Sequence, residues 1–191
     1  MQGVRIKKGL SLDHLVKNLL DLVLEREGLA TIYEQFGALE PKLRKVPFEK
    51  FCEEFIPAKL AMGCVFWTTS CSMHGIEDKK FRNLFFKSTM DLFGTPTSIG
   101  PAARFSESLY ASNADAEESP LVSLLVHFFK KLGLQAILKK SDKEPVLNEG
   151  FRFMMEVTEA LKVVFEQRFD DFCDTHPDIK SRYQKEGSHE S

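Results

Sequence analysis

Apolar side chains recur along most of the chain at the three- and four-residue steps that place them on one face of a helix. Leu12, Leu15, Val16, Leu19, Leu20, Val23 and Leu24 follow that spacing without a miss. Ser11 is placed to cap this segment, Asp13 suits its positive end, and Gly28 is placed to end it in a left-handed turn. A shorter helix is predicted over 30–36, stopped by Gly37, with 38–46 as a connector. Pro47 opens a third helix in its first turn, and Pro57 either kinks that helix or starts another.

From Ala58 to His74 only Lys59 is firmly charged, and both faces of the segment are apolar. This pattern predicts a central helix touched by others on most sides. Residues 77–93 are amphipathic: Phe81, Leu84, Phe85, Ser88 and Leu92 share one side, and Lys80, Asn83, Lys87 and Asp91 the other. A helix of about ten residues is predicted to start near Pro101, followed by an acidic loop over 111–119. Ser119-Pro120 then reads as a cap and first-turn proline for a helix that runs to Leu132 before Gly133. Residues 139–145 form a polar turn, and Asn148 is placed to cap the longest segment, which carries Phe151, Met154, Thr158, Leu161, Phe165 and Phe172 in phase. Alternating β-branched runs and Asn-Gly turns are missing, so the expected fold is all-α. It is a bundle of seven or eight helices around one Phe-rich core, a single domain over 1–176 with a frayed polar tail over 177–191.

Composition adds two points. The 191 residues include 17 Phe against one Trp and three Tyr, so the core is packed mainly with phenyl rings. The net charge is −2, and residues 1–95 carry 14 Lys and Arg against 12 Asp and Glu. Neither half forms a basic surface, which argues against binding driven by nucleic-acid phosphates. The longest run without a charged residue, Leu60 to Ile76, is 17 residues long and rich in Ser, Thr and Cys. It falls short of a membrane span. The basic N-terminal segment is followed by an amphipathic stretch and not an apolar signal core, and Cys52, Cys64, Cys71 and Cys173 lack short paired spacing. Both features suggest reduced thiols and a cytoplasmic location.

Phosphate-binding, dinucleotide-binding, zinc-protease and nucleophile-elbow motifs are absent from the sequence. The acidic pairs Glu53/Glu54, Glu117/Glu118 and Asp170/Asp171 are sequence neighbours about 100° apart on a helix, so they do not face one substrate. The one concentrated group is Cys64, Trp67, Cys71 and His74, which span about 80° of a helix circumference. These four are the candidate cofactor-binding residues. Cys71 and His74, three apart, have the spacing to chelate one ion, yet a lone helix supplies no complete ligand set, so no metal and no cofactor are expected. The competing interpretation, one face of a buried helix, fits better. His127 shares its stripe with Ser123, Lys130 and Lys131, which suits a surface histidine whose lysine neighbours disfavour protonation, and not a haem ligand.

With no catalytic constellation, the function expected from sequence is non-enzymatic: a helical domain that binds another protein, or a second copy of itself as a homodimer. The alternative is a small-molecule or cofactor sensor holding an apolar ligand among its Phe and Met side chains.

Overall fold

A computed structural model describes residues 11–93, 99–112, 119–134 and 149–179. Among these residues the chain forms α1 (Leu12–Leu24), α2 (Arg26–Leu39), a 3-10 turn (Leu43–Lys45), α3 (Phe48–Met73), α4 (Lys79–Arg82), α5 (Leu84–Leu92), α6 (Ile99–Ser112), α7 (Pro120–Lys131) and α8 (Glu149–Thr175). They contain no β-strand, and the architecture is an all-α bundle around one Phe-rich core. The basic N-terminal segment, the Asn148 cap, the polar turn over 139–145 and most of the acidic loop lie outside the described residues. Ile179, within the stretch read as a tail, is buried, and residues 180–191 lie outside the described set.

The central helix is α3, and it packs against α1, α5, α6, α7 and α8. It runs unbroken through Pro57, which is itself buried, for 26 residues. A proline inside a helix removes one backbone hydrogen bond. Here Phe55, Ala58 and Leu60, all almost fully buried around it, hold the helix together by packing. Both ends of α3 are aromatic. Phe51 and Phe55 meet each other at 5.1 Å, Tyr33 lies 5.3 Å from Phe51, and Phe128 of α7 lies 5.1 Å from Phe55. At the other end Phe66 meets Phe165 of α8 at 5.6 Å, and Trp67 meets Phe81, Phe85 and Phe169. Small residues, Ala58, Ala61 and Gly63, separate the two groups and let neighbouring helices approach.

Gly63 marks the tightest such approach. A Cβ built on it would lie 2.8 Å from the Phe85 ring, inside van der Waals contact, and 3.5 Å from Val23 of α1. Phe85 has little room to retreat, because it is fully buried, stacked on Trp67 at 5.9 Å and edge-on to Phe165 at 5.4 Å.

Several boundaries differ from the sequence expectation. Gly28 does not end α1; the joint is Glu25, with φ −51° and ψ 115°, and Gly28 lies inside α2 without a positive φ. Nor does Gly37 stop α2, which continues to Leu39. Gly37 is buried instead beneath Arg44, whose Nε donates to the Gly37 carbonyl at 3.0 Å. Among the described residues, the glycines that do take the left-handed conformation are Gly75 and Gly133, at φ 68° and 72°. Each sits just past a helix, and the next residue, Ile76 or Leu134, is buried and bonds back across six residues to Cys71 or Phe129.

The amphipathic stretch over 77–93 divides into α4 and α5 at Asn83. Asp78 caps α4 by accepting the Phe81 N–H at 2.8 Å, and the Phe81 carbonyl accepts the Trp67 indole N–H at 3.0 Å. Phe81, Phe85 and Thr89, four residues apart, are buried, while Leu92, the last residue of α5, is exposed.

Two glycine substitutions should therefore have opposite signs. Gly63→Ala is expected to destabilise by about 1–3 kcal/mol through overpacking against Phe85. Gly28→Ala, at a helical position where a Cβ would meet only the Glu25 carboxylate at 3.9 Å, is expected to stabilise by about 0.4–1 kcal/mol. Chemical denaturation of both variants checks this, and a tolerated Gly63→Ala would contradict the packing at the α3–α5 contact. Trp67→Ala is expected to cost about 3–5 kcal/mol, with native Trp67 emission blue-shifted because the indole is fully buried.

Candidate functional site

Although they share one stripe of α3, the four candidate residues fall into two surroundings. Cys64 and Trp67 border a cleft between α3, α5 and α6. Cys71 is buried nearer the end of the helix, and His74 stands at the C-terminal cap. The His74 Nε2 lies 2.7 Å from Asp170 Oδ1 of α8, and its ring leans on Phe169 at 5.6 Å. This contact ties the end of α3 to α8.

The thiols are chemically quiet. Burial pushes Cys64 up to about 12, partly offset by a hydrogen bond with Thr89. It pushes Cys71 up to about 12 as well, against the opposing charge of Arg82. A thiol in that range is protonated at neutral pH and is a poor nucleophile and a poor metal ligand. Among the described residues, moreover, no group of three or more His, Cys, Asp and Glu side chains is placed to hold a metal ion.

The cleft itself encloses about 490 Å³. Apolar lining comes from Val65, Trp67, Phe86 and Leu109, and polar lining from Thr68 and Thr69 of α3, Asn83, and Ser112 of α6. Arg82, at the end of α4, completes the set. Its Nη2 donates to Ser72 Oγ at 3.2 Å, and among the described residues it forms no ion pair. Sequence reasoning did not single out Arg82, because it lies in a stretch already rich in solvated lysines. The two adjacent threonines in the uncharged run of α3 were the available signal for this edge of the cleft.

A second cavity, of about 420 Å³, lies where α1, α2, α3 and α6 meet, with Leu24, Leu29, Phe48, Ile56 and Pro57 among its lining residues. Its cation, Arg104, is already engaged, 3.2 Å from Glu53 and 3.4 Å from Glu54. Glu54 is buried and also meets Lys50 at 2.5 Å. His127 is half-buried near this network. Its pKa is lowered first by burial and only then by Lys131, so the expected lysine effect is secondary.

Lys59 is a buried cation of the central helix. Only 5% of it is exposed, its ammonium lies 6.0 Å from the centre of the Phe55 ring, and burial lowers its pKa from 10.5 to about 8 against the pull of Glu25.

No protein-family model, no curated protein and no solved structure matches this chain. What the cleft can do therefore rests on its own geometry.

The Lys59 position generates a pH prediction. Its folded pKa lies below the unfolded value, so between about 8 and 10.5 the unfolded chain holds the extra proton and this group adds stability as pH rises. Below about 8 the penalty is present in full, at about 3 kcal/mol for a shift of this size. Lys59→Met should therefore be more stable than the parent at pH 7, by roughly that amount, with the gap narrowing toward pH 10.5. Denaturant midpoints of both proteins across that range test it. A loss of stability at pH 7, or a gap unchanged by pH, would contradict a buried ammonium.

Proposed function

We propose that this protein is a small-molecule-binding helical domain whose ligand occupies the cleft between α3, α5 and α6. One observation carries the reading: the cleft combines a volume of about 490 Å³ with an apolar lining and a few convergent polar groups beside Trp67. Sites for small molecules have this size and this mixture. The lining draws on α3, α4, α5, α6, the start of α7 at Pro120, and the joint at Asn83, so a ligand there is gripped from several sides. Cys64 and Trp67, two of the four residues singled out in the sequence, take part as walls and not as reactive groups.

Association with another protein or with a second copy has less support. The large apolar side chains left exposed, among them Leu39, Met73, Leu92, Tyr110 and Val163, are distributed over α2, α3, α5, α6 and α8. Scattered exposure of this kind is normal for a folded surface. No helix among the described residues is long and apolar enough to cross a membrane, and a membrane partner is not part of this proposal.

The test uses the neutral probe N-phenyl-1-naphthylamine, whose emission rises in apolar surroundings. Thr68 is exposed at the cleft edge, so Thr68→Phe intrudes on the cleft with little effect on the core. The parent should bind the probe saturably, and Thr68→Phe should bind at least about tenfold more weakly at an unchanged melting temperature. Equal binding by both proteins, or no binding by the parent, would remove the cleft as the ligand site.

A further inference from the structure

We propose that the cleft takes an amphipathic anion, a compact apolar body bearing one carboxylate, sulfonate or phosphate group, and that Arg82 is its anchor. The proposal rests on the cleft being the ligand site and specifies what enters it.

Arg82 presents a guanidinium with five N–H donors to this cleft. One is spent on Ser72 Oγ at 3.2 Å, and among the described residues no carboxylate neutralises the charge. Arg104, which lines the neighbouring cavity, shows the contrast: Glu53 and Glu54 hold it on two sides. The described residues lining the Arg82 cleft include no Asp and no Glu. Its other polar members are neutral: Thr68, Thr69 and Asn83 are able to donate hydrogen bonds, while the Ser112 hydroxyl already donates to the Leu109 carbonyl at 2.6 Å. A half-buried cation among neutral donors complements an anion, and a planar guanidinium suits the two-oxygen face of a carboxylate, sulfonate or phosphate.

Arg82 is also held in position. The preceding residue, Phe81, is buried against Trp67, with its carbonyl taken by the indole N–H and its own N–H capped by Asp78. The backbone that carries the guanidinium is thus fixed to the core before a ligand arrives, which lowers the ordering cost of binding. Phe86 and Leu109 then supply the apolar surface that a bare inorganic anion would leave unused.

The experiment compares two probes with the same ring framework. 8-Anilinonaphthalene-1-sulfonate carries the anion, and N-phenyl-1-naphthylamine lacks it. The parent should bind the sulfonate at least about tenfold more tightly than the neutral probe, with an affinity that falls as salt is added. Arg82→Gln should lose at least about tenfold in sulfonate affinity while neutral-probe affinity stays within about twofold, and Arg82→Lys should recover part of the loss. Trp67 emission, unchanged in both variants, establishes that the fold is intact. Millimolar inorganic phosphate should displace little of the bound sulfonate. Equal affinities of the parent for the two probes, or a sulfonate affinity indifferent to Arg82→Gln, would overturn the anion assignment while leaving a cleft that binds the neutral probe. Full displacement by phosphate would overturn the amphipathic part. Absence of binding by either probe would overturn the cleft reading and this one together.

Discussion

The contact of Trp67 with the α4–α5 unit sets the geometry on which much of the molecule depends. Its indole N–H donates to the Phe81 carbonyl at 3.0 Å, its face stacks on Phe81 and Phe85, and Phe169 meets it edge-on at 5.0 Å. One side chain of α3 therefore aligns α4, α5 and α8. The absence of a side chain at residue 63 admits Phe85 to the same place. A side chain added at residue 63 would push α5 outward, and loss of the indole would leave a cavity beneath it; either change would disturb Asn83 and Phe86. The cleft walls are in this sense secondary to a packing arrangement in the core.

Charge is distributed so that most of the buried portion locks helices together. Glu54, buried on α3, is shared by Lys50 of the same helix and Arg104 of α6. Breaking such a pair from one side leaves an uncompensated charge, so it constrains how α6 sits on α3 more than it adds to net stability. Lys59 is the exception within the core, a desolvated ammonium whose pKa burial lowers to about 8. The contrast between Arg104, spent on structure, and Arg82, left without a carboxylate, separates a cavity that closes the fold from a cleft suited to a ligand.

Much of the fold was legible in the sequence because helix burial leaves a periodic trace. The stretch from Ala58 to His74, apolar on both faces with Lys59 as its one firm charge, pointed to the central helix, and Ser11 and Gly133 marked ends that the structure keeps. What the pattern could not supply were joints made by backbone geometry alone. Glu25 turns the chain without a glycine, and Asn83 breaks a helix that propensity would continue, because Trp67 uses the carbonyl freed there. Glycines misled in the other direction: Gly28 and Gly37 resemble helix stops, but both lie inside α2, Gly37 in its last turn, where its bare backbone admits Arg44. The site was legible only in part. Cys64 and Trp67 stood out as rare residue types, whereas Arg82, Leu109 and Ser112 become neighbours only when α4 and α6 are laid beside α3.

Enclosing α3 on so many sides has a consequence for how the molecule opens. Its interior amides can reach solvent only after several surrounding helices have separated, so their exchange with heavy water should report the free energy of whole-chain unfolding. The single turn of α4 keeps its lysines exposed, but Phe81 pins its other side to Trp67. The cleft walls on α3 and α4 thus share the slowly exchanging core, and only the side chains at the rim are free of it. A molecule entering or leaving past the exposed Thr68 and Thr69 would disturb that rim without asking the interior to melt.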